Sequence, residues 1–179
     1  ARNKDNIKIT YAIEIEHKDE EKLVNRVHDN DVRIDNSKYE PDVEPGNEIL
    51  NHRPIVVGLG PAGLFAALML AQKGYKPLVI ERGEDVDKRT ETVNKFWKTG
   101  ELNLESNVQF GEGGAGTFSD GKLTTGINSP FCTKVLQEFV NFGAPKQILY
   151  LSKPHVGTDN LINILQNMRK YIISKGGTF

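Results

Sequence analysis

Apolar and polar residues alternate at the start of the chain. Over residues 7–16, Ile7, Ile9, Tyr11, Ile13 and Ile15 fall on one side and Lys8, Thr10, Glu14 and Glu16 on the other, which predicts a strand with one buried face. Residues 19–27 carry Leu23, Val24 and Val27 at helical spacing and predict a short helix; residues 29–51 are polar and punctuated by proline. One strand, one short helix and a linker cannot enclose a core. Residues 1–50 therefore read as the tail of an amino-terminal α+β domain plus a linker, or else the strand joins the main sheet.

From residue 54 the pattern changes to short apolar runs separated by amphipathic stretches. Pro54-Ile55-Val56-Val57 predicts a short buried strand, and the following helix places Leu64, Leu68 and Ala71 on one face before stopping at Lys73-Gly74. A second strand, Pro77-Leu78-Val79-Ile80, ends in Glu81 and completes a βαβ unit. Residues 85–98 predict a charged helix with Val86, Val93, Phe96 and Trp97 facing inward, and residues 130–142 a helix with Val135, Leu136, Phe139 and Val140 apolar, stopped by Gly143. Residues 148–151 predict a short strand. A last helix, capped by Thr158 or Asp159, carries Leu161, Leu165, Met168 and Ile172 and stops at Gly176-Gly177, so that Thr178-Phe179 read as the opening of a further strand. The fold class is α/β, with residues 51–179 as one incomplete domain.

The chemistry begins in the first βα turn, Gly58-Leu59-Gly60-Pro61-Ala62-Gly63. In a dinucleotide-binding turn the first glycine permits the sharp exit from the strand. The second lets the backbone approach a pyrophosphate, and the third lets the helix lie against the strand. Pro61 at the first helical turn forfeits no needed donor, so the remaining amides and the positive end of the helix dipole are left for an anion. Glu81 lies eighteen residues beyond Gly63, where an acid at the end of the second strand accepts hydrogen bonds from a ribose diol and disfavours the 2′-phosphate of NADP. A second candidate is the loop over residues 110–126, with six glycines in seventeen positions. Gly113, Gly114, Ala115 and Gly116 allow successive amides to converge on an anion or the edge of a flat ring, while Thr117, Ser119, Asp120 and Lys122 supply hydroxyls, a carboxylate and a cation.

Composition narrows the classes. A net charge of −1 over 179 residues provides no field for nucleic acid or anionic membranes, and the longest apolar run, residues 64–71, is too short to span a bilayer. A lone Cys132 excludes an intrachain disulfide, and with no signal-peptide pattern the expected compartment is a reducing cytoplasm. Lys95-Phe96-Trp97-Lys98 reads as core packing rather than a base-stacking platform, Cys132 as a structural or incidental thiol, and His155 as a structural or neighbouring polar group. His17, His28 and His52 lie in the charged amino-terminal region, so no metal site is expected.

These residues carry a resemblance. The segments Val56 to Gly63, Glu81-Arg82-Gly83, Gln109 to Leu123 and Lys153 to Asn160 resemble the glutathione-reductase-like flavoproteins, and more narrowly a bacterial family of uncharacterised FAD-dependent dehydrogenases. The opening Ala1-Arg2-Asn3-Lys4-Asp5 is similar to the interior of that family's amino-terminal domain. The resemblance implies a Rossmann-like FAD-binding domain, truncated, in which the first βαβ unit with Glu81 and Arg82 holds the ADP half and the glycine loop lies near the pyrophosphate and flavin. It implies a small-molecule substrate with NAD(P)H as a candidate electron partner. Lys122 is the candidate cation for stabilising a reduced flavin. No cysteine pair is spaced as a redox disulfide, so electrons would pass through the flavin alone. Two other functions compete: a nicotinamide-binding domain of a dehydrogenase, and a non-catalytic flavin-binding module.

Overall fold

The computed structural model describes residues 9–35 and 43–179, and the chain divides into two compact units, Ala1–Tyr39 and Glu40–Phe179. That division falls inside the polar stretch read as a linker. The fold is mixed α/β and mostly helical, with a small parallel sheet of two strands.

In the first unit one helix, α1 (Glu20–Val27), forms where the spacing of Leu23 and Val24 predicts it, and ends at His28 in the left-handed region (φ 49°). The strand expected over residues 7–16 is not formed among its described residues, and Ile9, Tyr11, Ile13 and Ile15 are all exposed. Ile7 and Lys8, like Ala1 to Asp5, lie outside the described residues. Alternation prepares a face, but a strand exists only when a second backbone completes its ladder.

In the second unit, β1 (Ile55–Val57) and β2 (Leu78–Ile80) pair in parallel with Val56 opposite Val79, joined through α2 (Pro61–Gln72). Leu64, Ala67, Leu68 and Ala71 are the buried stripe of α2, spaced three and four apart as a core-facing helix requires. Behind it packs α5 (Thr158–Ser174), which contributes Ile164, Leu165, Met168 and Ile172 to the same core. The helix α3 (Val86–Thr99) starts where the Asp85 carboxylate accepts from the amides of Asp87 (3.1 Å) and Lys88 (3.0 Å). The helix α4 (Pro130–Asn141) is capped by Ser129 and joined to the core through the edge-to-face pair Phe65–Phe139, with ring centroids 5.5 Å apart.

Thr178 continues the sheet on the far side of β2. Its N–H donates to the Pro77 carbonyl (3.0 Å) and its carbonyl accepts from Val79 (2.8 Å), forming a parallel bridge with Leu78. Arg53 fastens the same corner, donating to the carbonyls of Lys76, Pro77 and Gly176.

Four local expectations are corrected. β1 is buried on one face only: Val57 is 80 % exposed, since α2 covers the opposite face, where Val56 meets the core. Residues 146–149 form a 3-10 turn rather than a strand, because Pro145 offers its carbonyl to Ile148 (3.1 Å) and the local bond turns Ile148 into the core. The final helix is entered through Gly157; Thr158 and Asp159 lie inside its first turn, where the Thr158 hydroxyl donates to the Ser119 carbonyl (2.6 Å) instead of capping. Trp97 does not pack inward but is 59 % exposed, meeting Phe118 edge to face. Among the described residues no helix is long and apolar enough to cross a membrane.

Candidate functional site at the first glycine turn

The site is built where β1 ends. Gly58 leaves the strand at φ 89°, a region that other residues adopt only with strain, and its N–H still closes the ladder to the Ile80 carbonyl (2.7 Å). Gly60 then stands at the cap position of α2 with no side-chain cap, and Pro61 is its first residue. Leu64 donates to the Gly60 carbonyl (2.9 Å), so the amides of Ala62 and Gly63 precede the first closed turn and have no acceptor within the helix. Those two free donors stand at the positive end of the helix dipole.

The glycine loop comes to the same place. The Gly113 N–H donates to the Leu59 carbonyl (2.7 Å), and a Cβ built on Gly114 would lie 3.1 Å from Pro61 Cδ and 3.4 Å from Gly60 Cα. Ala115, Gly116, Thr117 and Phe118 form a 3-10 turn, with Ala115 and Gly116 on the surface. Two stretches separated by some fifty residues therefore face one another across the α2 entrance. Glu81 ties the first glycine turn to the exit of β2: Oε2 accepts from the Leu59 amide (2.5 Å) and Oε1 from the Gly83 amide (2.8 Å). Arg82 extends to the surface, stacked 5.0 Å over the Phe110 ring and paired with Glu105 at 3.1 Å.

The remaining candidates have other neighbours. Thr117 is buried, its hydroxyl 3.4 Å from the Arg89 guanidinium. Ser119 closes its own turn by donating to the Gly116 carbonyl (2.7 Å). The exposed Lys122 ammonium pairs with Asp120 at 2.7 Å, and the Lys122 backbone bridges to His155, bringing the Asp120-Gly121-Lys122-Leu123 and Pro154-His155-Val156 segments side by side. The bonds of Lys122 thus run to Asp120, while its neighbours hold the bridge, Leu123 donating to the Pro154 carbonyl (3.0 Å) and the Gly121 carbonyl accepting from Val156 (2.9 Å).

Sequence reasoning missed the two buried charges that hold this loop. Arg89, wholly buried, projects from α3 and donates to the carbonyls of Asn107 (2.9 Å), Val108 (3.0 Å) and Glu112 (2.6 Å), with Phe118 4.9 Å below its guanidinium. Glu112, 1 % exposed, accepts from the Val86 amide (2.6 Å) and pairs with Arg169 of α5, which also reaches Asp87 (2.5 Å). One signal was available: Arg89 falls between Val86 and Val93 at helical spacing, a charge on the apolar stripe.

Burial pushes the Glu112 carboxyl above its ordinary value, against the pull of the Val86 amide and Arg169; the hydrogen bond from Arg169 holds Asp87 below its own. The two groups act on stability with opposite signs. Glu112 favours folding while protonated, and that contribution is lost as pH rises from 4.5 through the raised folded value. Asp87 stabilises above 3.8 and loses its contribution as pH falls through its depressed value. Glu112→Gln should accordingly gain thermal midpoint on the wild type as pH is raised above 4.5, and a pH series of melting curves checks the sign. A difference that shrinks with rising pH would contradict the assignment.

No protein-family model matches the chain. It is 55 % identical over 177 residues to an uncharacterised protein of Clostridium beijerinckii (strain ATCC 51743 / NCIMB 8052), an alignment covering 99 % of this chain and 33 % of that relative. The chain thus spans about a third of the length of the relative it matches.

Proposed function

We propose that residues 51–179 form the first part of a Rossmann-like FAD-binding domain in a cytoplasmic flavin-dependent dehydrogenase. The observation that carries this reading is the contrast among three glycines. Gly58 is required by its φ of 89°, and Gly63 because a Cβ there would stand 1.9 Å from the Gly58 carbonyl oxygen. Gly60 is required by neither: its φ is −69° and a Cβ on it would meet no atom within 4 Å. Folding alone asks for glycine there only through the modest preference of a helix cap, which Ser, Thr, Asp or Asn would meet as well. A ligand backbone approaching the free amides of Ala62 and Gly63 asks for glycine itself.

The donor set fits a dinucleotide. Ala62 and Gly63 would hold one phosphate, the exposed turn of Ala115 and Gly116 would face the same pyrophosphate, and each Glu81 oxygen keeps a lone pair for a ribose hydroxyl beside the amide it already accepts. The loop of residues 113–116, pressed against the turn, favours FAD over a nicotinamide cofactor, since a simple NAD-binding half contains no such second wall. Bound there, FAD would supply the electron and hydride transfer, with a small-molecule substrate and NAD(P)H as the proposed partners. The chain's own residues would fix the phosphates and the ribose.

Gly60→Val in the intact polypeptide tests this. The side chain enters open space and forfeits only the cap preference for glycine, so the thermal midpoint should stay within about 4 °C of wild type, while FAD affinity should fall by on the order of a hundredfold as the phosphates are excluded. Stoichiometric FAD in the purified variant would overturn the placement. A wild-type protein that lacks flavin absorbance and binds NAD would transfer the site to the nicotinamide reading.

A further inference from the structure

Glu112 is locked to the helices behind the loop through nearly all its polar groups. Its N–H donates to the Glu84 carbonyl (3.1 Å), its carbonyl accepts from Arg89 (2.6 Å), and Oε2 accepts from Val86 (2.6 Å) and pairs with Arg169. The next residue, Gly113, donates to Leu59 (2.7 Å), and Leu59 in turn donates to Glu81 (2.5 Å). A continuous chain of bonds therefore runs from α5 through Glu112 into the first glycine turn. It arrives immediately before Gly113-Gly114, where the backbone has no Cβ to limit its conformations.

Judged as a source of stability, this anchor is poor. The carboxylate is 1 % exposed, its Oε1 has no hydrogen-bond partner among the described residues, and burial outweighs the help it receives from Val86 and Arg169. The other charges facing it are Asp85 and Asp87 at the start of α3, which repel it, and Arg89 from the same helix, which attracts it. A buried ion pair that returns less than its desolvation cost is poorly explained by stability, which leaves its position against the loop as the feature to account for. A glutamine of the same shape keeps an oxygen for the Val86 amide and removes the charge, so the fold has little to lose from the exchange.

We infer that Glu112, held by Arg169, is a positioning residue that fixes the register of the glycine loop against the Leu59–Gly60 turn and thereby sets affinity for the dinucleotide. The second half of the inference rests on the FAD reading above; the first half does not.

Three measurements on the intact polypeptide test it: amide exchange at Gly113 without added ligand, FAD affinity by titration, and the thermal midpoint. Glu112→Gln should speed Gly113 exchange and weaken FAD binding, each by about tenfold, with a midpoint equal to or above wild type at neutral pH. Arg169→Met should move exchange and affinity in the same directions, the double variant should be no worse than the more affected single, and Arg169→Lys, which keeps the cation but not separate nitrogens for Glu112 and Asp87, should recover only part of the loss. Wild-type exchange and affinity in Glu112→Gln would overturn the inference, as would losses that multiply in the double variant. Should the wild type take up no FAD, the function proposed above falls, and Gly113 exchange alone decides whether Glu112 positions the loop.

Discussion

Arg89→Met is expected to lower stability by about 4 kcal/mol. Met retains the volume of the arginine stem, so what disappears is the guanidinium itself. Its loss strands the carbonyls of Asn107, Val108 and Glu112, and with them the longer contacts to the Gly111 carbonyl and the Thr117 hydroxyl, both at 3.4 Å. A buried acceptor without a partner costs about 1–3 kcal/mol, and limited relaxation of the loop keeps the total below the sum of those losses. Arg89→Lys should recover little, because one ammonium cannot reach acceptors arranged around a planar fork. Urea unfolding of the three proteins measures the difference. A loss under about 1 kcal/mol for Met would mean that the loop finds other donors and that Arg89 does not organise it.

Gly63→Ala should destabilise by about 2–3 kcal/mol, although helix propensity alone predicts a gain of about 1 kcal/mol. The two effects oppose, and the distances decide between them. The new Cβ would stand 1.9 Å from the Gly58 oxygen, 3.0 Å from its carbonyl carbon and 3.4 Å from Val56 Cγ1. The two closest atoms are backbone and cannot rotate away, and Gly58 is itself held by its bond to Ile80. α2 must therefore move off β1, opening the core at Leu64 and Leu68. Gly60→Ala, three residues earlier, should cost no more than about 1 kcal/mol, the preference for glycine over alanine at a helix cap. Equal midpoints for the two variants would remove the distinction between a packing glycine and a ligand-facing one.

That distinction marks what the sequence makes legible. Gly58, Gly60 and Gly63 announce a nucleotide-binding turn together, but only the backbone angles and the space around each show which job each glycine has. The helices were readable because Leu64, Leu68 and Ala71, or Leu161, Leu165, Met168 and Ile172, repeat at a period that few other structures satisfy. Residues 9–16 and 148–151 were not, for a common reason: a short apolar pattern is consistent with a strand, yet pairing is decided by a distant backbone or, at Ile148, by the proline three residues before. Hidden for a different reason were the bonds of Arg89 and Glu112. Charged residues default to the surface in any pattern reading, and their partners here are mostly backbone groups, which carry no sequence signature.

The bridge between Leu78 and Thr178 has a consequence for the order of events during synthesis. About a hundred residues separate the two partners, whereas β1 and β2 are joined by a crossover of ordinary length. Closing the longer loop costs roughly 1 kcal/mol more chain entropy, a minor term beside the delay before it can close at all. At translation rates of about 5–20 residues per second, the outer edge of β2 waits on the order of 5–20 s for its neighbour to be made. Through that interval the nascent chain presents an unpaired apolar strand edge, the kind of surface that recruits a chaperone or a second nascent copy.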